Sequence, residues 1–210
     1  MIEQELVEAY FESNGFLVRK GSSSVVAQKS GSKKRTDILP VITVMNPRVF
    51  QNDSSLNVRL FSADLKKIRS AQVATLGWGN SSFSVASLSN DVQLQKFFKI
   101  EVDGARIEEC FSSNPEWQAG DSAESLKILV VPALPQGMDR LQKLVEHFKS
   151  YGLDGVLTLG SILENLLRLS KPSLQYDGHQ VLQTLRLVKA YGLSKDPQLE
   201  IFQEDQTMLD

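Results

Sequence analysis

The chain is poor in several residue types, and each shortage removes a class of function. Among 210 residues there is one cysteine, Cys110. That excludes an intramolecular disulfide and any cysteine-based zinc cluster. The two histidines, His147 and His179, are too few for a histidine-rich metal centre. No apolar run approaches the length a bilayer needs. The opening stretch from Met1 to Tyr10 lacks the basic-then-apolar order of a secretory signal. These absences predict a soluble, cytoplasmic protein with no membrane partner. Basic residues are not in excess either: 23 Lys and Arg stand against 25 Asp and Glu, a net charge of −2. Strong non-specific duplex binding leaves a basic footprint. The chain as a whole has none, so any nucleic-acid contact has to come from local patches.

What is present is ordinary globular composition, 41% hydrophobic and 23% charged, enough for one substantial core and an extension. Residues 2–14 place Ile2, Leu6 and Tyr10 on one stripe with Val7 and Phe11 beside it, a helix stopped by Gly15. A short strand follows at Phe16 to Val18, then a Gly/Ser-rich basic turn. Asp37 to Val44 reads as a buried β-branched strand, although Pro40 cannot donate to a ladder. Ser62 can cap a helix carrying Leu65 and Ile68. Ala71 to Leu76 is the next strand. Ser89 or Asn90 can cap a helix with Leu94, Phe97 and Phe98. Residues 99–125 show no clear period. Leu126 to Val131 is a strand closed by Pro132. Met138, Leu141, Val145 and Phe148 predict a helix ended by Gly152, and Gly155 to Leu159 a strand. Ser161 and Glu164 form a capping-box pattern before Leu166 and Leu167. A last helix from Val181 to Tyr191 is closed by Gly192, and an acidic tail follows. The alternation of strands and helices predicts a mixed α/β chain with part of its sheet parallel.

No Ser-His-Asp signature, Walker loop or dinucleotide fingerprint occurs. Lys33, Lys34 and Arg35 after a Gly/Ser loop, and Lys66, Lys67 and Arg69 before the third strand, can contact a phosphate backbone along one groove. The first cluster is equally readable as a solubilising loop, and the second lines the same groove only if the first does. Trp78 can stack on a base, but a Trp after a strand more often packs over the sheet. Cys110 reads as a small semi-buried residue, and the two histidines as surface residues. The Leu stripes of the last helices read as core. Alternatively, Leu163, Leu166, Leu167, Leu185 and Val188 form a face for a homodimer or another protein partner.

The element order, with Asp37 opening the second strand and Gly77-Trp78 closing the third, resembles the PD-(D/E)xK restriction-endonuclease-like superfamily. The resemblance runs from the first helix through the strand Leu126 to Val131. It implies an αβββαβ mixed sheet flanked by helices. The nuclease-like core would span 1–135, an α/β extension with C-terminal helices 136–193, and the tail 194–210. In active relatives a helical Glu, an Asp on the second strand and an acid-x-Lys on the third strand converge on magnesium. Carboxylates hold the ion and the Lys serves the attacking water. Asp37 matches the strand-two ligand, and Glu5 or Glu8 is a candidate helical acid. The ordinary reading of Glu3, Glu5 and Glu8 is a solvated acidic helix start, and that of Asp37 is a turn residue paired with Arg35. Counting back from Gly77-Trp78 puts Ala74 at the acid position and Leu76 at the Lys position. A shift by two offers Gln72 as a neutral ligand. The expectation is a catalytically degenerate nuclease-like module that binds nucleic acid or protein, with no cofactor. The alternatives are an active magnesium-dependent nuclease with a rearranged site (Asp37, a helical Glu, Gln72 and a migrated Lys), or an assembly protein of unrelated α/β fold.

Overall fold

The computed structural model describes residues 2–21, 39–77, 83–112 and 125–194. Helix α1 (Ile2–Ser13) buries Val7, Ala9, Tyr10 and Phe11. It ends in a Schellman turn: the N–H of Phe16 donates to Phe11 O (3.1 Å) and that of Gly15 to Glu12 O (3.0 Å). Gly15 sits at φ +87°, where a Cβ would be strained. Strand β1 (Leu17–Lys20) runs antiparallel to β2 (Val41–Met45), which runs antiparallel to β3 (Ser70–Thr75). Strands β4 (Leu126–Val131) and β5 (Gly155–Thr158) continue the sheet in parallel to β3. The result is a five-stranded mixed open sheet in the order β1-β2-β3-β4-β5.

Both faces of the sheet are covered. On one, α1 packs with α6 (Leu159–Leu169) and α7 (Gln180–Ala190). On the other lie α3 (Asp91–Glu101), α4 (Gly104–Ser112) and α5 (Met138–Ser150), with the short α2 (Val85–Leu88) leading into α3. That explains why Ile128, Leu129, Val130 and Val131 form an unbroken apolar run, all fully buried: a strand covered on both faces has no polar side. Because β5 is hydrogen-bonded to β4, the C-terminal third belongs to the same sheet. Among the described residues no helix is long and apolar enough to cross a membrane.

Several local expectations are corrected. Ser62–Lys67 is a 3-10 helix, not an α-helix. Ser62 does not cap it. The Asp64 carboxylate takes the Phe61 N–H (2.9 Å), and Ser62 Oγ accepts instead from the buried Tyr10 hydroxyl (3.2 Å). Pro40 stands just ahead of β2, where its missing N–H costs nothing and its carbonyl accepts from Thr75 N–H (3.0 Å). Residues 104–112 form α4, which begins where Asp103 Oδ1 accepts from Arg106 N–H (2.8 Å). The cap of α6 is Thr158, three residues ahead of Ser161. Its Oγ1 accepts the Ser161 N–H (3.1 Å). On the other face, the Asp91 carboxylate joins α3 to α5 by accepting the N–H groups of Gly137 and Gln136 (3.0 Å each), with Arg140 at 3.6 Å.

Two outcomes follow from these caps. Thr158→Ala should cost about 1 kcal/mol in chemical denaturation, while Ala at the exposed Glu164 should leave the midpoint nearly unchanged. The Gly137 and Gln136 N–H groups, with Arg140, hold the Asp91 carboxyl below its ordinary value. Since the folded value is the lower one, this stabilisation is present above the ordinary carboxylate range and is lost as pH falls through the folded value. Unfolding curves at stepped pH should show Asp91→Asn with a shallower acid limb than the parent.

Candidate functional site

The N-terminal half of α1 reaches one end of the sheet, where Glu3 meets Gly77 and Glu8 meets Lys20. There Lys20 pairs with Ile42, the N–H of Gly21 donates to Val41 O (3.2 Å), and Val41 pairs with Ala74. The carboxyl ends of β3, β4 and β5 all point to this end because the three are parallel, the side on which open α/β sheets place ligands. Strand β3 extends one step further through the Leu76 N–H, which donates to Val130 O (2.9 Å).

The first turns of α1 lie over this end and carry two buried carboxylates. Glu3 is 6% and Glu8 8% exposed. This corrects the expectation of a solvated acidic helix start; only Glu5 is exposed. Glu3 packs on Gly77, where an added Cβ would meet its Cγ at 3.0 Å and its Cδ at 3.1 Å. The absent side chain at 77 is what admits Glu3 at this distance. Glu8 Oε2 pairs with Lys20 Nζ at 2.9 Å. That hydrogen bond, then the Glu8 charge, raises the Lys20 ammonium above its ordinary value. The other carboxylate oxygen, Glu8 Oε1, is buried with no hydrogen-bond partner.

Strand alternation decides which sequence-predicted residues can join these acids. Ala71 and Val73 face the α1 layer, whereas Ala74 and Leu76 face the layer of α3, α4 and α5. The alignment on Gly77-Trp78 therefore puts its acid and lysine positions on the sheet face that α1 does not cover. Both are fully packed, Ala74 at 0% and Leu76 at 1% exposure, among Leu94, Phe97 and Phe98. Gln72 shares their face by the same alternation and stands between Thr43 and Lys127. It is not brought to Glu3 or Glu8. The α1-facing positions at the end of β3 are Val73, Thr75 and then Gly77, none charged. Asp37, Trp78 and the basic run Lys33, Lys34 and Arg35 lie outside the described residues.

The second basic cluster sits elsewhere. Lys66, Lys67 and Arg69 precede Ser70, which pairs with Met45 at the opposite end of β3, about 20 Å away at the usual rise per residue. The Arg69 guanidinium is taken up by the carbonyls of Val49 (2.9 Å) and Asn46 (3.2 Å), and Asn52 Oδ1 accepts the N–H of Arg69 (2.7 Å). Arg69 thus holds the loop after β2 in place. Lys66 is exposed and Lys67 half-buried.

The remaining candidates are structural. Cys110 is buried in the α3/α4/α5 layer, and burial pushes its thiol up, away from the reactive thiolate. His147 is half-buried, contrary to expectation: its ring meets Tyr151 edge-on at 4.6 Å. His179 is exposed near Glu12, with Nδ1 to Oε2 at 3.6 Å. Leu166 lies in the core and Leu185 packs against it. Leu163, Leu167 and Val188 are half-buried. The apolar surface exposed by α7 and the turn after it is instead Leu187, Tyr191 and Leu193. Among the described residues no group of three or more His, Cys, Asp and Glu could hold a metal ion. No protein-family model, curated protein or solved structure matches the chain.

The Glu3–Gly77 contact can be tested directly. Gly77→Ala should destabilise the fold by about 1–3 kcal/mol, the usual cost of overpacking. Most of that should disappear in a Glu3→Ala background, a coupling that a double-mutant cycle of denaturant midpoints would read.

Proposed function

We propose that the protein is a nuclease-like α/β scaffold without catalytic activity that serves as a protein-binding module. The observation that carries this reading is the packing of Ala74 and Leu76. These positions are not an emptied cleft. They are core, and a carboxylate and a lysine there would each be desolvated at a cost of several kcal/mol. The strand order also supports the resemblance: β1, β2 and β3 form an antiparallel meander and β4 joins in parallel, with α1 ahead and helices between β3 and β4. A nucleic-acid partner is less well supported. In the second basic cluster Arg69 is engaged by the carbonyls of Val49 and Asn46, and Lys67 is half-buried.

A second reading, an active magnesium-dependent nuclease with a rearranged site, draws on one observation. Glu3 and Glu8 are buried at the end where β2 starts and β3 finishes, and Lys20 reaches Glu8 from β1. A site assembled there would use helical acids and a lysine from β1 in place of acid-x-Lys on β3.

The two separate in one assay. The purified chain, incubated with single-stranded and duplex DNA and RNA in magnesium or manganese, should give no cleavage above that of the Asp37→Ala and Glu3→Gln variants. It should also give no gel shift at low salt. Cleavage lost in both variants would establish the second reading and sink the first.

A further inference from the structure

The chain contains one Asn-Gly step, Asn14-Gly15. It lies at the turn where α1 ends, with Asn14 half-buried and Gly15 exposed. An asparagine ahead of a glycine is open to attack by its own main chain, because glycine has no Cβ to keep its nitrogen away from the neighbouring side-chain amide. The reaction has two requirements. Asn14 Cγ has to turn toward the Gly15 nitrogen, and that nitrogen has to give up its proton.

The folded chain withholds both. Asn14 Nδ2 donates to Tyr10 O (2.7 Å), one turn back along α1, and to Asn165 Oδ1 of α6 (3.0 Å). These bonds hold the amide toward the body of the helix and away from residue 15. The Gly15 N–H is spent on Glu12 O (3.0 Å). Asn165 is buried, at 4% exposure, in the contact between α1 and α6, so the docking of the two helices fixes the Asn14 side chain. Tyr10 O can only accept, and Asn165 presents its oxygen. An aspartate at position 14 has no hydrogen to give either of them. It also sets a negative charge just past the C-terminus of α1, where the helix dipole opposes it.

We propose that Asn14-Gly15 is a site of self-modification gated by the docking of α1 on α6, and that its product loosens that docking. When the turn opens, hydroxide removes the Gly15 amide proton and the nitrogen attacks Asn14 Cγ. A bond forms between them, the Cγ–Nδ2 bond breaks, and the side-chain nitrogen leaves as ammonia with a proton from water. Water then opens the succinimide ring at either carbonyl, giving aspartate or isoaspartate. One water is consumed, one ammonia is released, and nothing is oxidised or reduced. Isoaspartate carries an additional main-chain carbon, which disrupts the turn in which Phe16 N–H reaches Phe11 O. The conversion runs one way, so the site records how often the end of α1 has come away. It involves only residues 10–16 and Asn165, so it is independent of what the chain binds.

The test incubates the full chain in mildly alkaline buffer and follows Asn14 by peptide mass spectrometry, beside a blocked synthetic peptide of residues 10–20. Loss of the amide should be roughly tenfold slower in the folded chain than in the peptide. Across low urea concentrations it should rise in step with hydrogen exchange of the Gly15 amide, since both need that N–H released. Asn165→Ala, with its far-UV spectrum retained, should speed the loss about fivefold, the usual worth of one hydrogen bond. Asn14→Asp should lower the urea midpoint. Equal rates in chain and peptide, a rate that does not follow Gly15 exchange, or an unchanged rate in folded Asn165→Ala would each overturn the gate. An Asn14→Asp midpoint equal to that of the parent would overturn the loosening.

Discussion

The position of β3 constrains everything around it. It is hydrogen-bonded on both edges, antiparallel to β2 and parallel to β4, and covered on both faces. A strand held this way has no freedom to shift. A one-residue slip would exchange Ala71 and Val73 with Gln72 and Ala74 across two different apolar layers. The face each residue occupies is therefore set, and so is the list of residues that can meet α1. The layer assignments of Leu76 and Gly77 follow from this: the first closes over Leu94 and the phenylalanines, the second leaves room for Glu3.

Burying Glu3 and Glu8 carries a desolvation cost. For Glu8 the cost is offset by Lys20, contributed from the strand that follows α1 through the Gly15 turn. Glu3 has no comparable cation within the described residues. It is accommodated by shape, against a glycine. Two acids on one helix thus reach burial by different means, one through charge and one through the absence of a side chain some seventy residues later in the chain.

Elements with strong, unshared periodicity were legible in the residues. The α1 stripe ending at Gly15, the apolar run of β4, and the α5 and α7 stripes ending at Gly152 and Gly192 lie where their patterns place them. Less was legible where two signals compete. Ser161 and Glu164 resemble a cap, but Thr158 starts the helix because its hydroxyl, at the end of β5, accepts the Ser161 N–H. In α4 a signal was present and weak: Asp103 as a cap before Ile107, Cys110 and Phe111 at helical spacing. The faces of β3 could not be read at all. Alternation says that residues 74 and 76 share a side, but only the packing of distant helices says which layer that side meets. The burial of Glu3 and Glu8 was hidden for the same reason, since Gly77 and Lys20 act on them through space.

The parallel bridge at Arg59 has a consequence for the C-terminal third. Val156 N–H donates to Val58 O and Leu60 N–H donates to Val156 O, so the segment ahead of β3 is fastened by its main chain to β5. Neither can come away without breaking main-chain bonds to the other, and the last strand is held from two sides, by β4 and by a stretch from the first half of the chain.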